Sequence, residues 1–156
     1  MLECGPAEAG SAREALGLGR VYQRAGLDTR ARDALAQAVR MSRAPQGVFD
    51  PIRIEGLRRL AIEWRRARQF DEAAACWRQL LETRGCPAIV SREATEALAI
   101  HHEHRLHDLP GAKEFALRGL TNGEAATWTQ AIRHRLGRIE RKLEAVGRPS
   151  ARLNLD

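Results

Sequence analysis

Aromatic side chains are scarce in this chain of 156 residues: three Trp, three Phe and one Tyr, 4% of the total. That leaves few rings on which nucleobases could stack. No apolar run approaches the ~18 residues that a membrane-spanning helix needs. The opening stretch, MLECGPAEAGSARE, lacks a basic segment followed by an apolar one, so no secretory signal is expected. Cysteine is limited to Cys4, Cys76 and Cys86, an odd set whose spacing suits neither a zinc site nor a redox pair. Reduced thiols in a cytoplasmic protein are the expectation. Nowhere does the chain alternate polar and β-branched residues over a strand-length stretch, which argues against sheet.

What is abundant is helix-forming: apolar residues make up 44% and charged residues 29%, with Ala, Leu, Arg and Glu dominant. The length suits one domain with a core of its own. The net charge is +6, and all but Lys113 and Lys142 of the 26 basic residues are arginine. Guanidinium groups bind phosphates and carboxylates in a fork, although a solvated basic surface alone accounts for charge of this size. Helix punctuation is dense. Ser11–Glu14 (SARE) is a capping box. Asp28, Asp50, Asp71 and Asp108 stand where N-caps are wanted, and Pro51 fits a first helical position. Gly85 and Gly123 stand where helices stop. A further helix begins near Pro87 or Ser91, and a long last one covers about Glu124 to Val146. Seven helices without strands are predicted, over residues 11–146, with disordered ends at 1–10 and 147–156.

The helices fall into pairs that repeat. The first pair places Leu18, Gly19, Tyr22, Gly26, Ala31, Leu35 and Ala38 at the same offsets as Leu60, Ala61, Trp64, Arg68, Ala73, Trp77 and Leu80 of the second. The third gives Leu98, Ala99 and His102, then, after one extra residue, Ala112, Ala116 and Gly119. This large–small–aromatic pattern resembles the tetratricopeptide repeat, with spacings of 42 and 38 residues in place of the family's ~34. The excess lies in RAPQGVFDP and ETRGCP, between pairs. The resemblance implies an all-α, tetratricopeptide-like right-handed α-solenoid of three helical hairpins plus a C-terminal capping helix. The apolar stripe Trp128, Ile132, Leu136, Ile139, Leu143 and Val146 would close the stack. Both Trp64 and Trp77 are then expected to be mostly buried.

The wording of residues 70–87 (FDEAAACWRQLLETRGCP) and 92–120 (REATEALAIHHEHRLHDLPGAKEFALRGL) is more specific. It resembles the C-terminal helical tail of bacterial ribonuclease-H-like proteins, predicted 3′–5′ exonucleases, over about residues 12–146. That resemblance implies a nuclease domain upstream, with the acidic metal-binding residues in that other domain. No residue here matches them.

Four of the five histidines lie within residues 101–107. His102 takes the slot of Tyr22 and Trp64, so it is expected to pack inside the stack. His101, His104 and His107 follow an i, i+3, i+6 spacing that places them on one arc of a helix and makes them weak metal candidates. HEHRL (102–106) misses the HExxH zinc-protease pattern, because Leu106 stands at its second histidine. No phosphate-cradling glycine loop and no nucleophile–base set is present, and Glu72 and Glu93 read as helix-start charges. No catalytic residue, metal or cofactor is expected.

In tetratricopeptide-like stacks the first helix of each pair lines the concave groove. The resemblance puts Arg13, Arg20, Gln23 and Arg24 there from the first pair, and Arg58, Arg59, Ile62, Arg65 and Arg66 from the second. The third adds Glu93, Glu96, Ile100, Glu103 and His104. The family's carboxylate clamp needs asparagine in the groove, whereas Asn122 and Asn154 both fall outside it. Two function classes remain open. The favoured one is a protein-interaction scaffold that accepts an acidic peptide or packs on an upstream nuclease domain. The other is a nucleic-acid accessory module, weak and without sequence preference, whose candidate phosphate contacts are Arg65, Arg66, Arg135, Arg138, Arg141 and Lys142. No membrane partner is expected.

Overall fold

The computed structural model describes residues 9–42, 48–121 and 126–147. The segments 1–8 and 148–156, expected as disordered ends, lie outside the described residues. Seven helices are present among the described residues, with no strand: α1 (Ala12–Arg24), α2 (Asp28–Met41), α3 (Pro51–Arg66), α4 (Phe70–Glu82), α5 (Ala88–His104), α6 (Leu109–Thr121) and α7 (Ala126–Gly147). They form two compact units divided between Ala94 and Thr95, within α5. None of these helices is long and apolar enough to cross a membrane.

In the first unit α1 packs on α2, α2 on α3, and α3 on α4. Small side chains make this possible. Ala15, Ala31, Ala34, Ala38 and Ala61 are buried, and between them sit the large residues Leu35, Leu57, Trp77 and Leu80. A Cβ added at Gly19 would lie 2.7 Å from Cγ of Leu35 on α2, so only glycine allows that approach. Gly56 of α3 plays a milder version of the same part, 3.0 Å from Val39. Trp64 is only partly buried: the Arg32 guanidinium lies 5.2 Å from its ring centroid and covers the face that the helices leave open. Trp77 is buried as expected. In the second unit Ala99, Ala116, Ile132 and Leu136 form the core, with Phe115, Leu120 and Trp128 packed on it.

The turns within the pairs explain where helices stop and start. After α1 the chain enters the left-handed region at Gly26 (φ 71°), and after α3 at Arg68 (φ 61°). The N–H of Leu27 bonds to the carbonyl of Tyr22, and that of Gly26 to Gln23. The N–H groups of Gln69 and Arg68 bond to Trp64 and Arg65 in the same way. Both are Schellman turns. Leu27 and Gln69 therefore serve as the N-caps of α2 and α4 without a side-chain bond. Asp28 and Asp71 are not the caps; they are helical residues of the first turn, where their charge faces the helix dipole. The third turn is one residue wider, yet His107 (φ 52°) again enters the left-handed region directly before the next cap, Asp108. Ser11, Asp50 and Asp108 do cap their helices, each accepting a backbone N–H three residues on. The last helix starts at Ala126; residues 122–125 of its expected start lie outside the described residues.

Two substitutions test this geometry. Gly19→Val should overpack the α1–α2 crossing and cost about 1–3 kcal/mol, read as a lowered thermal midpoint. Arg68→Gly should do the reverse and stabilise by about 0.5–1 kcal/mol, because glycine carries no Cβ penalty at positive φ. Its denaturant midpoint should rise with an unchanged m-value.

Candidate functional site

The first helices of the two pairs in the first unit present a polar face to one another. Gln23 and Arg24 from the end of α1 meet Arg58, Arg59, Ile62 and Arg66 of α3 around an open depression of about 270 Å³. The α3 residues recur at intervals of three and four, so they share one side of the helix. The structure thus brings together six residues expected in the groove from sequence. Arg20 stands nearby, 3.9 Å from Glu55. Arg13 and Arg65 are exposed but do not line the depression.

Its floor is a hydrogen-bonded chain that the sequence did not reveal. Glu63, on the buried side of α3, accepts at one oxygen from Nε2 of Gln23 (2.8 Å) and from Arg66 (3.0 Å). The amide oxygen of Gln23 accepts from Arg59 (3.0 Å), whose Nε also donates to Glu55 (2.8 Å). Burying a carboxylate is costly unless donors replace its water, and here they come from two helices. Arg58 is held separately by a two-point bond to Glu93, at 2.6 and 3.3 Å. Glu93 is thus an ion-pair partner rather than only a helix-start charge. The available clue to Glu63 is a carboxylate on an apolar stripe with Arg59 and Arg66 one turn to either side. Four arginines stand around the rim against three carboxylates that fix three of them, and no bond from the Arg24 side chain is present among the described residues. The depression keeps a cationic excess, and its three paired arginines have little conformational entropy left to lose.

In the second unit the expectations from sequence change. Glu103, expected in a groove, is buried and collects the cations of α7. Arg138 donates to both its oxygens (3.0 and 2.7 Å), Lys142 to one (2.8 Å), and Arg135 approaches at 3.4 Å. Three of the candidate phosphate contacts are therefore tied to one internal carboxylate. Of the four on α7, Arg141 has no bond to Glu103 among the described residues and is exposed. Glu96 is half-buried and 3.8 Å from Arg135. Burial by itself would raise the Glu103 pKa. The hydrogen bonds from Arg138 and Lys142, with the charges of Arg138 and His104, prevail and hold it at about 2, below the ordinary 4.5.

The histidines do not share one arc. His101 is buried, His104 is exposed beside Glu103, and α5 ends at His104, so His107 lies beyond the helix in the left-handed turn. Helical spacing does not carry past that end. His102 packs 5.0 Å from the Phe115 ring, and its Nδ1 is 2.8 Å from Asp108. The Gly111 amide and His102 together hold the Asp108 carboxyl below its usual range. A side chain at Gly111 would strike both His102 and Asp108. Among the described residues no three or more of His, Cys, Asp and Glu are placed to hold a metal ion. Burial, with Glu72 adding to it, pushes the Cys76 thiol up to about 11, so it carries no nucleophilic thiolate at neutral pH.

No family model and no curated protein matches the chain.

The Glu103 cluster has a definite pH signature. A carboxylate with a depressed folded pKa adds stability that is fully present above about pH 4.5 and is lost as pH falls through about 2. Glu103→Gln should remove charged hydrogen bonds worth about 1.5–3 kcal/mol at neutral pH. It should also flatten the fall of unfolding free energy over that acid range, as followed by urea titrations at stepped pH.

Proposed function

We propose that this chain is a non-catalytic helical-repeat scaffold for protein–protein or interdomain contacts, and that the basic depression of its first unit is the binding face. The finer architecture that goes with this reading is a tetratricopeptide-like right-handed α-solenoid of three hairpins with α7 as the capping helix. Its support is the recurring left-handed turn after α1, α3 and α5, set against the recurring large–small–aromatic spacing. The resemblance to helical tails of ribonuclease-H-like proteins makes an upstream nuclease domain one candidate partner and an acidic peptide another.

The observation that carries the reading is the pre-held arginine set. Arg58, Arg59 and Arg66 are fixed by Glu93, Glu55 and Glu63, and Ile62 gives the depression an apolar centre. Oriented guanidinium forks around an apolar spot match a peptide that carries carboxylates beside an apolar residue. A nucleic-acid role draws less support, since Arg135, Arg138 and Lys142 spend donors on Glu103 and the chain has few rings for base stacking.

The test is a pair of fluorescence-anisotropy titrations at about 150 mM salt, where nonspecific nucleic-acid binding is typically ~10⁻⁴–10⁻⁶ M. One uses a short acidic peptide with a central leucine, the other single- and double-stranded RNA and DNA. The peptide should bind, and Arg58→Gln with Arg66→Gln should weaken it by about tenfold, equivalent to ~1.4 kcal/mol. The double variant should keep its helicity at room temperature but lose some thermal stability, because Arg58 and Glu93 are surface partners whereas Arg66 is one of two donors to the buried Glu63. Submicromolar nucleic-acid binding with a sequence preference would replace this reading with the accessory-module one.

A further inference from the structure

The outer face of α1 carries an open hollow. Ala9, Glu14, Gly17, Leu18, Arg20, Val21 and Arg24 line it, and apolar surface predominates in it. Val21 is 48% exposed, and nothing lies within 4 Å of where a Gly17 side chain would stand. On α3 the positions that match Glu14 and Val21 are Gly56 and Glu63, both buried, with α2 covering Gly56, while those that match Gly17 and Arg24 are Arg59 and Arg66 at the open depression. No described residue covers α1 in that way.

The pattern on this face reads the same from either end with partners exchanged. Glu14, Gly17, Val21 and Arg24 lie on one side of α1, at intervals of three and four. Reversing the helix about its midpoint near Gly19 brings position 14 to position 24 and position 17 to position 21. An acid then meets a base, and a notch meets a side chain of the size to fill it. A two-fold axis through that midpoint satisfies all four positions twice, as an isologous interface requires. The glycine lets two helices approach closely at the crossing. Glu14 accepts from the Gly10 N–H through one oxygen and keeps the other for a partner, and the Arg24 side chain makes no bond among the described residues.

We propose that α1 pairs antiparallel with α1 of a second copy of this chain. Val21 of each copy seats at Gly17 of the other, and Glu14 of each pairs with Arg24 of the other. The occupant is a second copy rather than an unrelated helix, because charge and size are complementary to the face itself. The inference shares Arg24 with the peptide-binding depression but does not rest on that reading: its readout is self-association with no peptide present. One helix face per partner is smaller than the ~1,600 Å² of a standard interface, so the dimer is expected to be weak, with Kd on the order of 10⁻⁵ M.

Sedimentation velocity over roughly 1–500 μM brackets such an affinity. The wild-type chain should pass reversibly from monomer to dimer. Val21→Glu should be monomeric throughout with unchanged helicity, since Val21 is exposed and outside the core. Arg24→Glu and Glu14→Arg should each self-associate at least about tenfold more weakly, as like charges then face each other twice. Mixing those two variants in equal amounts should restore dimers, because each position then faces its opposite. A wild-type chain that stays monomeric, a dimer indifferent to Val21→Glu, or a mixture that fails to recover would each overturn the proposal.

Discussion

Everything in the first unit depends on how tightly the two helices of a pair are joined. In the α1–α2 and α3–α4 turns one residue, Leu27 or Gln69, both closes the Schellman bond of the incoming helix and caps the outgoing one. No spare residue remains to absorb a change of direction. The second helix must therefore leave at a set angle, and its small residues must already face the first. Gly19 against Leu35 is the point where that requirement is strictest. The left-handed residue is glycine only at Gly26; Arg68 and His107 accept the same conformation with a Cβ. Packing along both helices over-determines the turn, which is how such strain persists.

The second organising element is a carboxylate or amide reaching from one helix to another. In the first unit Gln23, five residues after Leu18, bonds to Arg59 and Glu63, one before and three after Leu60. In the second unit Glu103, five residues after Leu98, bonds to Arg135, Arg138 and Lys142, which lie one before, two after and six after Leu136. The long last helix is thus gripped through a polar side chain as well as through its apolar stripe. Arginine suits this role, because its planar fork meets both oxygens of a carboxylate at once, as Arg138 does.

The helical content and most helix ends are legible in the sequence because they are local. Ser11, Asp50 and Asp108 act on backbone groups three residues away. Asp28 and Asp71 look like caps in the sequence and are not, for the opposite reason. A Schellman turn made by the preceding helix takes precedence over a side chain that could have capped the next. The basic side of α3 is legible because its arginines share a helical face. Glu63 and Glu103 are not, since a buried carboxylate looks like any surface acid until the donors of another helix, the Gln23 amide for Glu63 and the α7 cations for Glu103, are placed around it. The histidine arc fails at a boundary: extending helical spacing to His107 assumes a helix that in fact ends at His104.

The doubly used turn residue also bears on how such a chain can vary in length over evolutionary time. Each residue inserted into an α-helical path rotates the downstream part of the helix by about 100°. An insertion between α1 and α2 would thus turn Leu35 away from Gly19. Between α5 and α6 the extra residue falls ahead of His107, so the left-handed residue still directly precedes its cap and α6 keeps its aim. In the α4–α5 connector, residues 83–87, different residues end one helix and begin the next. The connectors between pairs are where this chain has placed its surplus length, and where insertions and deletions would leave both hairpins undisturbed.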